Sequence, residues 1–125
     1  MIDVGLQITH LGSGSRGNST LLESDNCKVL IDCGFSLKQT EKRLSRIRIK
    51  PSSIDAIFIT HHHGDHSKSA LKASQKWGSS LYCNIETAIK MGWNPIADCR
   101  TFGNLERINI NDEISVLPIP IPHDD

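Results

Sequence analysis

AIFITHHHGDH, residues 56–66, joins a short apolar run to a cluster of histidines and decides how the chain is interpreted. The apolar run Ala56 to Ile59 is typical of a buried strand covered on both faces. Four of the six histidines in the chain fall between positions 61 and 66. An affinity tag is excluded because tags lie at chain termini, which leaves a histidine-rich polar loop or a metal site. The position directly after a core strand favours the metal site.

The spacing of the cluster supports metal binding. His61 and His63 are two residues apart, so their side chains point to one side while the chain is extended. Gly64 permits a sharp turn that brings Asp65 and His66 to the same region. Neutral imidazole and carboxylate are both ligands of zinc-like ions. The H-E-x-x-H pattern of helical zinc sites is absent.

His123 is a further candidate ligand, in the tail of the chain. Prolines at 118, 120 and 122 precede it and reduce the entropy lost when its ring is held in place. Residues 61–66 already contain more candidate ligands than one tetrahedral ion binds, so we expect two divalent ions that share an activated water. The predicted reaction class is metal-assisted hydrolysis, and the ligand types suit Zn and Mn alike.

The periodicity along the chain predicts a layered α/β (α+β) domain. Ser36 and Gln39 fit a helix N-terminal capping box, and Asn111–Glu113 is predicted to form a turn. Strands are expected at Leu6–Leu11, Ser19–Glu23, Cys27–Asp32, Ala56–Ile59 and Ser80–Cys83. Helices are expected after Ser36, at Ser67–Trp77 and at Ile85–Met91. An edge strand or a loop is expected within Ile108–Pro122.

Composition narrows the class of protein. The chain has 125 residues, and its 14 basic and 14 acidic side chains cancel, so no net charge draws it to nucleic acid or membranes. No export signal or membrane-length apolar segment is seen, so a cytoplasmic location without membrane contact is expected.

The four cysteines form no C-x-x-C pair, which excludes a zinc ribbon and predicts buried, reduced thiols. Lys38–Lys50 holds six basic residues and one acidic residue, and is either a solvated helix face or a phosphate-contacting face.

The motif His61-x-His63-x-Asp65-His66, with Thr60 and an apolar strand before it, resembles the signature of the metallo-beta-lactamase superfamily. Asp32-Cys33-Gly34 resembles the first motif of that superfamily. The segments LGSGSRGNS (11–19) and LPIPIPHD (117–124) resemble the opening loop and the third motif of its YycJ/WalJ-like branch. The resemblance runs from Leu6 to the last residue.

This resemblance implies the N-terminal half of an αββα sandwich, with a mixed, mostly antiparallel sheet and helices on one face. It also implies a metal-dependent hydrolase, a phosphodiesterase or 5′ to 3′ exonuclease that acts on DNA through a metal-activated hydroxide. By this resemblance, the first metal would be held by His61, His63 and His123, and the second by Asp65 and His66. Asp65 would also be the catalytic residue that orients the attacking water, and Asp32 would support the metal loop. The implied phosphate contacts are Ser13, Ser15, Arg16 and Asn18.

Family members continue past the third motif, where they supply a bridging Asp and a final His. Residues 1–125 are therefore expected to be a single domain truncated after that motif, holding one of the two ions. A half-sandwich would expose a sheet face and favour dimerisation or aggregation. The alternatives are a glyoxalase-II-like thioesterase, an RNA-processing nuclease, or an inactive remnant that only binds metal.

Overall fold

The computed structural model describes residues 5–12, 18–60, 67 and 69–120. In chain order, its elements are β1 (Gln7–Gly12), β2 (Ser19–Ser24), β3 (Cys27–Ile31), α1 (Leu37–Arg46), a 3-10 turn (Pro51–Ser53), β4 (Ala56–Phe58), α2 (Ser69–Trp77), β5 (Ser80–Cys83), α3 (Ile85–Met91), β6 (Arg100–Thr101), β7 (Ile108–Asn109) and β8 (Ser115–Val116).

The first six strands form one sheet in the order β1-β2-β3-β4-β5-β6. β2 pairs antiparallel with β1 and with β3, and a two-residue turn at Asp25–Asn26 joins β2 to β3. β3, β4, β5 and β6 run parallel, because a crossover containing a helix joins each of them to the next. The mixed α/β class is confirmed. Antiparallel pairing is confined to the first three strands of this sheet rather than predominating in it.

Alternating side chains on the central strands point to two different cores. Leu30, Ile57 and Leu81 lie in the cluster that contains residues of α1, α2 and α3. Val29 and Phe58 lie in the cluster on the opposite face. The three helices therefore cover one face of the sheet, as expected, and this alternation fixes the register because a slip of one residue would exchange the faces.

A second, two-stranded sheet packs on the face away from the helices. It is the antiparallel β7–β8 pair, whose turn carries the buried Ile114. The Glu113 carboxylate accepts hydrogen bonds from the Ser24 hydroxyl, and from the Asn26 backbone N–H at 2.8 Å and side-chain amide at 3.0 Å. These bonds hold the pKa of Glu113 below its usual value. The face expected to be bare is thus covered in part by the chain itself.

The start of α1 agrees with the predicted capping box, and Asn84 caps α3 in the same way. Ser36 Oγ accepts the Gln39 N–H at 3.2 Å, and Asn84 Oδ1 accepts the Thr87 N–H at 2.7 Å. Gly92 ends α3 with φ at 73°, a left-handed conformation that suits glycine. None of the helices in the described ranges combines the length and apolarity needed to cross a membrane.

Candidate active site

Asp32 follows β3 directly and has an unusual backbone conformation. Its φ of 62° lies in the left-handed region, which non-glycine residues adopt only at a cost. Two hydrogen bonds fix it there: its N–H donates to the Phe58 carbonyl at 2.7 Å, and its carbonyl accepts from the Ser19 hydroxyl at 2.8 Å. Three strands therefore set the position of this one carboxylate.

The Asp32 carboxylate binds Thr60. The Thr60 N–H donates to Oδ1 at 2.8 Å, and the Thr60 hydroxyl lies 2.8 Å from Oδ1 and 2.7 Å from Oδ2. Thr60 is the last residue before the histidine cluster in the sequence. Asp32 thus contacts the point at which the chain enters 61–66.

Of the phosphate contacts expected from the sequence, Asn18 is described. Its carbonyl accepts the Gly34 N–H at 2.9 Å, which joins the end of the 12–18 segment to the Asp-Cys-Gly motif. Within the described ranges, no three His, Cys, Asp or Glu side chains are grouped so that they could hold a metal ion. The other candidates lie outside the described residues: Ser13, Ser15, Arg16, His61, His63, Asp65, His66 and His123.

A cleft of about 470 Å³ opens at the carboxyl ends of β3, β4 and β5. Sites in α/β proteins are commonly built at this edge of the sheet. Thr60 and Pro120 both line the cleft. The two segments that carry the candidate histidines, 61–66 and 121–125, therefore continue from residues on the wall of the same cleft.

Three polar residues of this cleft were not predicted from the sequence: Asn84, Glu86 and Asn104. Asn84 is occupied as the cap of α3. The Glu86 carboxylate lies 3.3 Å from Lys90 Nζ, and 68% of its side chain is exposed. Only the capping pattern of Asn84 marks this region in the sequence, and capping residues occur at most helices.

Arg43 was also missed, although it fixes the end of β1. Its Nη1 donates to the Leu11 carbonyl at 2.7 Å, and its guanidinium lies 4.1 Å from the centre of the Phe35 ring. A Cβ at Gly12 would lie 2.4 Å from Phe35 Cζ, so only glycine fits under this ring. These contacts set the direction in which the chain leaves β1 towards 13–17.

The cysteines are buried and free, as predicted. Cys33, beside Asp32, is 2% exposed, and its Sγ lies 3.6 Å from Ser69 Oγ. Burial raises the pKa of the Cys33 thiol, so the thiolate form is disfavoured. Cys33 therefore serves as a core residue and is not an activated nucleophile.

The chain is similar in sequence to a known family and to two named relatives. The family model of the metallo-beta-lactamase superfamily matches residues 12–124. Exodeoxyribonuclease WalJ of Streptococcus pneumoniae is 36% identical over 106 residues, which are 85% of this chain and 38% of the relative. Exodeoxyribonuclease YycJ of Bacillus anthracis is 29% identical over 120 residues, 82% of this chain and 44% of the relative.

Among solved structures, the Rm3 metallo-beta-lactamase superposes with a TM-score of 0.70 at 17% identity, covering 84% of this chain and 45% of that one. The match at this low identity shows the fold. The chain spans less than half the length of these relatives.

Proposed function

The chain belongs to the metallo-beta-lactamase superfamily, and from that premise we propose that it is a metal-dependent hydrolase of the nuclease type. The specific activity we propose is 5′ to 3′ exonucleolytic hydrolysis of DNA. Two relatives named as exodeoxyribonucleases support the DNA preference, since the similarity covers most of this chain. Its four buried, free cysteines favour a cytoplasmic location.

One observation carries the proposal: Thr60 and Pro120 line the same cleft, and each leads directly into a segment with candidate ligands. The donor set fits a divalent ion, because imidazole and carboxylate are ligands of Zn and Mn. His61, His63 and His123 would hold the first ion, and Asp65 and His66 would contribute to a second in the complete fold of the family. Such ions supply Lewis-acid activation of water and of a phosphodiester.

Asp32 has a positioning role in this proposal. Its carboxylate holds the backbone N–H and the hydroxyl of Thr60, so it sets the direction in which the chain enters the histidine segment. Replacing a supporting group of this kind typically lowers metal affinity about 10- to 100-fold. Asp65 would orient the attacking water, and Asn18 would place the Gly/Ser segment and Arg16 beside the phosphate.

The proposal is tested by metal content and by substrate choice. The 125-residue chain and a form extended to the length of the relatives are loaded with Zn or Mn. Each is then assayed on 5′-labelled DNA, RNA and a glutathione thioester. We expect the extended form to degrade DNA from the 5′ end and His61→Ala to abolish both metal binding and turnover. His10→Ala is the matched control, because His10 is exposed on β1 and bonds only Thr20 in the described structure.

Each alternative gives a different result in the same assay. A preference for the thioester indicates a glyoxalase-II-like enzyme, and a preference for RNA indicates an RNA-processing nuclease. One bound ion with no turnover in either form indicates an inactive metal-binding remnant. An extended form that binds no metal contradicts the whole proposal.

A further inference from the structure

The outer face of α1 carries a row of cations. Lys38, Lys42 and Arg46 are spaced at i, i+4 and i+8 and are all exposed. We call these three side chains the α1 ridge. Because an α-helix rises 1.5 Å per residue, the ridge is about 12 Å long. None of the three forms an ion pair with a residue that the structure describes.

The single acidic residue of α1 is turned away from the ridge. Glu41 accepts hydrogen bonds from Trp77 Nε1 at 3.0 Å and from Lys76 Nζ at 3.1 Å, both on α2. These two contacts hold the pKa of Glu41 below its usual value, so it stays ionised and paired with α2. The positive charge of the ridge is therefore not cancelled from within α1.

Helix stability does not account for this charge pattern. Cations are favoured at the C-terminus of a helix, which suits Arg46, but they are disfavoured at the N-terminus, where Lys38 lies and where α1 has no acidic residue. Arg48, just after α1, has φ at 61°, a position at which glycine avoids strain. An arginine there lengthens the basic surface at a cost in backbone energy, and such costs are commonly associated with function.

The position of the ridge relates it to the cleft. α1 begins five residues after Asp32, so Lys38 lies at the same end of the sheet as Thr60, while the cleft opens on the sheet face opposite the helices. From there the ridge runs back along the helix layer, away from the cleft. It offers regularly spaced cations to a polyanion whose end has entered the cleft.

We propose that the α1 ridge binds the phosphate backbone of a nucleic-acid strand outside the cleavage site. This inference rests on the proposed nuclease function for its biological meaning, but binding to the ridge needs no metal. Contacts to successive phosphates are independent of sequence and release counterions, so they make affinity depend steeply on salt. The ridge would retain the strand while its end is processed.

The test is binding of a fluorescein-labelled 12-nucleotide single strand to the protein in EDTA, followed by anisotropy at several salt concentrations. The ridge variant combines K38Q, K42Q and R46Q. We expect about tenfold or greater loss of affinity at low salt and a salt slope reduced by about 2, since each single-strand contact contributes about 0.7. A control variant with K28Q, K90Q and R107Q removes the same charge elsewhere and should retain the wild-type slope.

A third variant, K38R, K42R and R46K, keeps the charge and should bind as the wild type does, which shows that charge sets the affinity and not the identity of the side chains. Equal slopes for the ridge and control variants would overturn the proposal. So would charge-dependent binding to phosphatidylglycerol vesicles without binding to the oligonucleotide. Hydrolysis of bis(p-nitrophenyl) phosphate with Mn reports the cleft separately, so a failed nuclease function is distinguished from a failed ridge.

Discussion

Replacing Asp32 tests whether a carboxylate outside the proposed ligand set controls metal binding. In Asp32→Ala the Thr60 N–H and hydroxyl lose their acceptor. Hydrogen bonds to charged groups contribute about 1.5–3 kcal/mol, and water at the exposed Thr60 reduces this to about 1 kcal/mol for each bond. Alanine at a φ of 62° adds roughly 1 kcal/mol, so we expect a total loss of about 3 kcal/mol.

Two further substitutions separate the backbone from the carboxylate. Asp32→Gly removes the carboxylate but tolerates the positive φ, so it should be about 1 kcal/mol more stable than Asp32→Ala. Asp32→Asn keeps the shape and the tolerance of this conformation, and its amide oxygen can still accept the Thr60 N–H, but the negative charge that strengthens these bonds is lost. We expect zinc affinity to fall about 10- to 100-fold in Asp32→Asn, because weaker bonds to Thr60 hold the segment that enters the ligand cluster less firmly.

Urea unfolding measures the stability changes, and competition with a chromophoric chelator measures zinc affinity. Asp55→Asn is the matched control, because the Asp55 carboxylate accepts the Lys28 N–H at 2.9 Å at the amino end of β4, away from the cleft. The control should lose stability and keep zinc affinity. Equal zinc affinities in Asp32→Asn, Asp55→Asn and the wild type would refute the reasoning.

Three further predictions follow from the packing. Gly12→Ala places a Cβ 2.4 Å from Phe35 Cζ and should lower the free energy of unfolding, measured in urea, by about 1–3 kcal/mol. Adding Phe35→Leu should restore part of this loss. A Gly12→Ala variant as stable as the wild type would show that the Phe35 ring moves aside without cost. The pKa of Glu41 is lower in the folded state than in the unfolded state, so its contribution to stability is complete above the unfolded pKa of about 4.3 and is lost as the pH falls. In Glu41→Gln, the melting temperature should therefore fall less steeply at acid pH than in the wild type. Identical curves of melting temperature against pH would contradict this. Burial raises the pKa of Cys83 to about 12, so this thiol should react with Ellman's reagent at pH 8 only at the rate of unfolding; reaction in the native state within seconds would contradict its burial.

The elements were predictable wherever the pattern is local. Alternation of apolar and polar residues at Leu6–Leu11 predicted β1, and the capping box of Ser36 and Gln39 predicted the start of α1, where these two near neighbours form a hydrogen bond. Parallel pairing of β5 with the two-residue β6 was not predictable, because so short a strand carries no period.

Contacts between distant parts of the chain were also not predictable from local pattern. Glu113 joins a turn 87 residues earlier in the sequence, at Asn26. That bond helps to hold the β7–β8 pair over the second face of the sheet, which the sequence predicts to be bare. Position in the sequence alone gives no sign that these two turns meet.

The candidate site divides in the same way. The histidine segment is apparent from the sequence, because its rare residue types lie within six positions. Asp32 was implied by resemblance, and its contact with Thr60 spans 28 residues. Arg43 and the cleft depend on packing among several elements, and no short motif encodes them.

The central claim is that segments 61–66 and 121–125 supply imidazoles to one divalent ion at the cleft. X-ray absorption at the zinc edge counts those imidazoles directly, in the wild type and in His61→Ala, His123→Ala and His10→Ala. We expect three imidazoles in the wild type and in His10→Ala, and two, with weaker zinc binding, in each of the other variants. A wild type without bound zinc, or an unchanged zinc environment in His123→Ala, would contradict the claim.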